Sequence, residues 1–347
     1  MKVLLGISGG VDSAVSAYLL KEKGYEVVAA MMKTYSGIPL GSACYGSNKE
    51  KEIYDAKKIC DKLSIDFNLI DCTKEFNDFV FEEFRDQYKK GLTPNPCVLC
   101  NPKVKFGAFL ELAEKEGIRF DKFSTGHYAN IVFENGRYAL SMGKNRKKDQ
   151  SYFLYRLNQE QLSKIIFPLG NLDKEETRDI ARKCGFEISE KKDSQDFYDG
   201  HYSEILNFKD RKGEIVTTKG EILGEHNGIH YFTIGQRKGL KIAYEEPLYV
   251  ISLDSENNRV IVGTREETFC DSLVAYDINW GLIESLKDRR KAFCKHRSVQ
   301  NPNPCIIEPY GDKIKVKFDS AQTSVTKGQS AVFYDSEGRI LCGGFIE

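Results

Sequence analysis

A chain of 347 residues with 41% hydrophobic content is too long for one ordinary domain and apolar enough for several cores, so two or three domains are expected. Its 51 basic and 51 acidic residues cancel, so net charge gives no argument for nucleic-acid binding and only local basic clusters can make one. No N-terminal apolar run precedes a small-residue cleavage site and no apolar stretch approaches spanning length, so a soluble, cytoplasmic protein with no membrane partner is expected; its ten cysteines then read as reduced thiols, some catalytic or metal-binding.

The first element is Val3-Leu4-Leu5, a short apolar run that reads as a buried strand. Gly6-Ile7-Ser8-Gly9-Gly10-Val11-Asp12-Ser13 follows, and then Ala14, Val15, Ala17, Tyr18, Leu19 and Leu20 repeat with helical spacing until Gly24. Strand, glycine turn and helix together gather backbone N–H groups and a helix N-terminus around an anion. Gly9 and Gly10 permit close backbone approach, Ser8 and Ser13 add hydroxyl donors, and Asp12 is suited to a magnesium ion. No Lys-Ser/Thr pair follows the glycines, so this is not a Walker loop. SGGVDS resembles the signature of the PP-loop ATP pyrophosphatases, which implies cleavage of ATP between its α and β phosphates to activate a carbonyl oxygen.

A strand from Glu26 to Met32, a polar loop from Thr34 to Asn48 carrying Cys44, a helix over Lys49–Leu63, a strand over Phe67–Asp71 and a helix over Glu75–Lys90 continue the pattern. This alternation predicts a parallel sheet covered on both faces, with its ligand at the C-terminal strand ends. In Thr93-Pro94-Asn95-Pro96-Cys97-Val98-Leu99-Cys100-Asn101-Pro102, three prolines and two asparagines predict an irregular loop ahead of a helix starting near Lys103. Cys97 and Cys100 then form a redox dithiol, half a zinc site or two ligands of an iron–sulfur cluster. Zinc is disfavoured, because no second Cys-x-x-Cys or His-x-x-x-His completes a tetrahedral set.

A strand over Asp121–Ser124 ends in Thr125-Gly126-His127-Tyr128, where Gly126 is either an ordinary turn or a neighbour of the nucleotide. A hairpin is predicted at Asn135-Gly136, and helices at Gln159–Ile166 and Lys174–Cys184. From Gly213 onward short strands alternate with glycine turns, giving a β-rich module to about Phe269 and then a small barrel. Lys144–Lys148, Lys209–Lys212 and Arg289–Lys291 through Lys295–Arg297 are the candidate basic patches. The expected fold is α/β, with a parallel-sheet, Rossmann-like catalytic domain over 1–200, a central β-rich domain over 201–269 and a C-terminal β-barrel over 270–347.

The order SGGVDS, TPNPxxxCN, TGHY, KDQSYFL, FPLG, KKDS, YFTIGQR and GQSAVFYD resembles the tRNA-specific 2-thiouridylase family (MnmA/TrmU) from residue 2 almost to the end. The resemblance implies ATP-dependent conversion of the tRNA wobble uridine to 2-thiouridine. It implies that Gly6, Ile7, Ser8, Gly9, Gly10, Val11, Asp12, Ser13, Met32 and Gly126 bind ATP, with Mg2+ on Asp12. Asn95, Pro96 and Cys97 would lie against the target base; Lys148, Asp149, Gln150, Lys295, His296 and Arg297 would contact tRNA. Cys100 stands at the family's nucleophilic cysteine. Adenylating the uracil oxygen makes AMP the leaving group that a sulfur nucleophile displaces, and a base under chemistry must leave its stack.

The chain also departs from that pattern. Where relatives carry a second cysteine after KKDS it has Tyr198, or a short deletion before Asp199-Gly200, and Cys97 replaces a usual aspartate. A phenol cannot carry a persulfide. Either Cys44, Cys97 and Cys100 bind a 4Fe–4S cluster whose open iron holds sulfide, or Cys100 carries a persulfide that Cys97 resolves as a disulfide. The cluster is preferred because it gives Cys44 a role. The sulfur donor is correspondingly sulfide, or a cysteine desulfurase or persulfide-relay protein. Thiolation at another RNA position, a small-molecule amide ligase and a non-enzymatic RNA-binding protein are the rival readings.

Overall fold

The computed structural model describes residues 1–34, 49–189, 202–206 and 208–347. Its first part interleaves β1 (Lys2–Gly6), α1 (Val11–Glu22), β2 (Glu26–Lys33), α2 (Lys49–Leu63), β3 (Asp66–Asp71), β4 (Lys122–Thr125) and β7 (Ile165–Ile166). Between β3 and β4 run two composite helices. We label as α3 the run Thr73–Phe76, Asn77–Phe81 and Glu82–Lys89, and as α4 the run Pro96–Cys100, Asn101–Ala108 and Phe109–Lys115. The middle piece of each is a wide, π-type turn.

The strands form a five-stranded parallel sheet in the order β3-β2-β1-β4-β7. Val3, Leu4 and Leu5 are fully buried, as a strand covered on both faces requires. The order reverses direction between β1 and β4, and a crevice for ligand opens at such a switch point, beyond the C-terminal strand ends. The hairpin β5 (Ala129–Glu134) and β6 (Arg137–Met142) turns at Asn135 and Gly136, both at positive φ, as the dipeptide predicts. Short helices α5 (Ser151–Leu154) and α6 (Gln159–Ser163), then α7 (Lys174–Lys183) and α8 (Tyr202–Leu206), complete this half. The helix expected through Ile166 stops at Ser163, because the β-branched pair Ile165-Ile166 adds an edge strand to β4.

The central module carries β8 (Gly213–Thr217), β9 (Ile222–His226), β10 (Tyr249–Asp254) and β11 (Arg259–Gly263) in the order β10-β11-β8-β9. Then β12 (Phe269–Trp280), β13 (Arg290–Lys295), β14 (Asn303–Tyr310), β15 (Lys313–Thr323), β16 (Ser330–Tyr334) and β17 (Ile340–Ile346) close a six-stranded barrel. The barrel does not stand apart. Val332, Tyr334 and Ile340 belong to the same buried cluster as Tyr152, Leu154 and Tyr155. Tyr152 donates to Ser330 O at 3.0 Å, and the Tyr155 and Ser330 hydroxyls lie 3.2 Å apart. No helix among the described residues is long and apolar enough to cross a membrane.

Candidate functional site

The glycine turn sits at the C-terminal end of β1, over buried Ile7 and Val11. Gly9 has φ +69°, and a Cβ there would lie 2.5 Å from Glu52 O, so no other residue fits. Gly10 caps α1 without any side-chain hydrogen bond, leaving its first-turn N–H groups for an anion. Ser13 Oγ donates to Gly10 O at 3.0 Å and accepts from Ser8 N at 3.2 Å, which sets the turn's curvature. Gly126, ending β4, closes on the same loop: a Cβ there would lie 2.9 Å from both Asp12 C and Ser13 N. Met32 is half-buried near the end of β2.

Asp12 is engaged in a way the sequence did not suggest. Lys174 Nζ reaches its two carboxylate oxygens at 2.7 and 2.9 Å, and the Tyr128 hydroxyl donates to Oδ1 at 2.9 Å. Lys174 occupies the first turn of α7, a place where the helix dipole disfavours a cation. A lysine between Asp173 and Glu175 at a helix start was the available signal. No group of three His, Cys, Asp or Glu among the described residues could hold a metal ion. A magnesium ion would therefore take Asp12 together with phosphate oxygens and water, the usual ligands of nucleotide-bound magnesium. His127 Nδ1 lies 2.6 Å from Thr125 Oγ1, between the rings of Phe106 and Phe167. Burial, and then the charge of Lys105, hold its pKa well below the ordinary histidine value, so the ring is neutral.

The cysteine pair is not on an irregular loop. Both thiols lie at the start of α4, Cys97 in its first turn and Cys100 at the next, half-buried, and the helix starts at Pro96 rather than Lys103. Pro96 takes the first helical position, where its missing N–H costs nothing. Asn95 caps the helix by accepting from Cys97 N at 3.1 Å. Pro102 would break an ordinary ladder, but there the helix widens over Asn101–Ala108. Helix α4 feeds β4, so its first turn lies toward the C-terminal strand ends; Phe109 packs on Phe123 and Phe106 on His127, one step nearer Cys100. The thiols and the glycine turn thus share one end of the sheet. The barrel steadies the approach to the cap: Thr93 N donates to Lys327 O at 3.0 Å, and Gln329 Nε2 donates to Thr93 O at 2.8 Å. Cys72, packed in the same core, is fully buried, and burial first of all pushes its thiol up to about 12.

The residues expected to touch RNA differ in exposure. Asp149, Lys295 and His296 are buried, His296 fully. Asp149 and Lys295 form an ion pair across the seam between catalytic part and barrel. Lys295 Nζ lies 3.5 Å from Asp149 Oδ2, with side chains 3% and 1% exposed. Burial lowers the Lys295 pKa and Asp149 offsets part of that shift. Asp149 also accepts from the N–H of Gly143 and Ser151 and from the Ser151 hydroxyl. Gln150 accepts from Tyr128 N and donates its own N–H to Tyr128 O, both at 2.9 Å. Arg297 binds Ile234 O and Thr326 Oγ1, joining barrel to central module. Lys148 is half-exposed, beside exposed Lys144, Arg146 and Lys147. Cys44 and Tyr198 lie outside the described residues.

The chain is similar in sequence to known proteins over its whole length. Residues 1–198 match a family profile described as "tRNA methyl transferase HUP domain", residues 203–264 "tRNA methyl transferase PRC-barrel domain" and residues 270–346 "Aminomethyltransferase beta-barrel domain". A "tRNA-specific 2-thiouridylase MnmA" of Endomicrobium trichonymphae is 45% identical, covering 100% of this chain and 99% of its own. "tRNA-specific 2-thiouridylase MnmA 1" of Clostridium tetani is 43% identical, covering 100% and 96%. The "tRNA-specific 2-thiouridylase MnmA" of Syntrophotalea carbinolica is 42% identical, covering 99% and 98%. The profile descriptions speak of methyl transfer and the full-length relatives of thiolation; identity over whole chains is the finer guide.

Proposed function

The chain belongs to the tRNA-specific 2-thiouridylase family, and from that premise we propose that it uses ATP to convert a uridine of tRNA, at the wobble position, to 2-thiouridine. One observation carries the reading beyond the family. An uncapped helix N-terminus with Asp12 and Lys174, and a turn bearing Cys97 and Cys100, stand at the same end of one sheet. The first suits a triphosphate and the second a sulfur step.

In the first half-reaction the glycine turn and the α1 N–H groups hold the phosphates, and Lys174 moves from Asp12 to the charge that develops as the bond breaks. Uracil O2 attacks the α phosphorus, the N3 proton passes to water, and pyrophosphate leaves; magnesium held by Asp12 would neutralise its charge. In the second, the terminal sulfur of a Cys100 persulfide attacks C2 and AMP departs. Cys97 thiolate then attacks Cys100 Sγ and breaks the S–S bond, so the outer sulfur stays on the base. The product Cys97–Cys100 disulfide takes two electrons from an external dithiol before the next turnover.

We favour this dithiol route over the cluster. Among the described residues Cys97 and Cys100 have no third His, Cys, Asp or Glu grouped with them as a metal ligand, so a cluster would need Cys44, which lies outside those residues. Iron and acid-labile sulfide assayed on anaerobically purified protein decide between them: stoichiometric iron needed for turnover overturns the dithiol route. The activity itself is tested by incubating protein with ATP, tRNA and a persulfide donor. AMP release that depends on tRNA, with 2-thiouridine mapped by mass spectrometry, is expected; AMP formation without RNA would point to a small-molecule ligase.

A further inference from the structure

Among the described residues, the side chain of Gln161 holds the wide turn that follows Cys100 from outside. Gln161 Nε2 donates to Pro102 O at 2.8 Å and to Phe106 O at 3.0 Å. Both carbonyls belong to the π-type segment Asn101–Ala108. Such a turn is poorly bonded by itself. Pro102 has no N–H to give, and the Gly107 backbone passes so close that a Cβ there would lie 2.8 Å from Pro102 O.

The orientation of the Gln161 amide is fixed from its other end. Its Oε1 accepts from Asn158 N at 3.0 Å while Asn158 Oδ1 accepts from Gln161 N at 2.8 Å, a reciprocal cap at the start of α6. With the oxygen committed to a donor, the NH2 group faces the two carbonyls. From the other side, buried Asn101 donates to Phe153 O at 2.9 Å.

We infer that Gln161 is a positioning residue for the sulfur step: one carboxamide fixes the wide turn that directly follows Cys100, from Pro102 O to the backbone of Phe106, whose ring meets His127 beside Gly126. The Phe106 and His127 centroids are 6.0 Å apart, so this turn also spans from the thiol toward the nucleotide crevice. Releasing it lets Cys100 shift relative to the adenylated base, without touching the groups that bind ATP. A displacement of about 1 Å in a reacting group costs roughly a hundredfold in rate.

The inference rests on the thiolation reading, and Gln161→Glu tests it. The carboxylate still accepts from Asn158 N, so α6 keeps its cap, but it cannot donate and sets negative charge against two carbonyl oxygens. Hydrogen exchange over residues 101–108 is expected to speed up about tenfold. Single-turnover sulfur transfer should fall roughly a hundredfold while KM for ATP stays within about twofold. Unchanged exchange would show that the amide does not hold the turn, and faster exchange with an intact rate would show that the turn does not serve the chemistry. Either overturns the proposal. If Gln161→Glu fails to fold, Gln161→Met, which is similar in size and has no donor, takes its place under the same criteria. Should the wild-type enzyme not thiolate tRNA at all, the functional reading fails while the exchange result still reports on the clamp.

Discussion

The nucleotide crevice and the thiol turn stand at the same end of one sheet, yet they are built in opposite ways. The crevice is mostly local: eight consecutive residues, Gly6 to Ser13, make its turn, and Gly126 closes it by contact with Asp12 and Ser13. The thiol turn is assembled from far along the chain. Thr93 is held by Lys327 and Gln329, Asn101 by Phe153, and Pro102 and Phe106 by Gln161. Phosphates are the same in every ATP enzyme and suit a portable loop. On the thiolation route proposed above, a sulfur that must meet one atom of one base is placed by the whole molecule.

The sharpest way to separate the two regions is Lys174→Met. It should lower tRNA-dependent AMP formation by about two to three orders of magnitude, as loss of a phosphate-facing cation does. The rate at which iodoacetamide labels Cys100, read on its peptide, should not change. If labelling changes with it, the regions are not independent.

Acid should break the distant assembly first. Burial, with help from Arg297, brings the His296 pKa down to about 4 from 6.5. The unfolded chain therefore binds more protons between pH 6.5 and 4, and stability is full above 6.5 and lost as pH falls through that window. The shift is worth about 3 kcal/mol. Hydrogen exchange at Thr93 and along α4 is expected to rise in that range before exchange in α1 does. His296→Phe should flatten the pH dependence of Tm, and an unaltered slope would remove His296 from the account. Smallest of the three, Asn95→Ala should cost about 1 kcal/mol by removing the cap on Cys97 N. It should show as faster exchange in the first turn of α4, with ATP binding unchanged.

The same contrast explains what was legible in the sequence. The alternation of apolar runs and helices gave the parallel sheet, and the SGGVDS and Asn135-Gly136 turns appear where local chemistry puts them. Cys97 and Cys100 were misplaced onto a loop because three prolines argue against a helix. Pro96 happens to fall at the first helical position, and Pro102 in a turn wide enough to take it. The widening after Cys100 depends on a contact between Pro102 and Gln161, 59 residues further along the chain, which no local pattern reveals. Asp149, Lys295 and His296 look like surface charge in a sequence, but β13 meeting the loop before α5 pairs the first two in a buried seam, and His296 lies against Phe318 of β15. Lys174 was hidden for a similar reason: its partner, Asp12, lies 162 residues away.

The shared tyrosine core has a consequence in time. Tyr152 and Tyr155 pack against β16 and β17, which end one residue short of the C-terminus. At roughly 5–20 residues per second a ribosome takes on the order of ten seconds or more to deliver those strands after α5 has emerged. Until then the catalytic half has an unfinished core, and Thr93 lacks the Lys327 carbonyl and the Gln329 side chain that hold it. Limited proteolysis of ribosome-stalled chains should find α4 cleavable when synthesis is arrested at residue 300 and protected once β17 has cleared the exit tunnel. The first domain would then gain its full core only when strands made nearly two hundred residues later reach it.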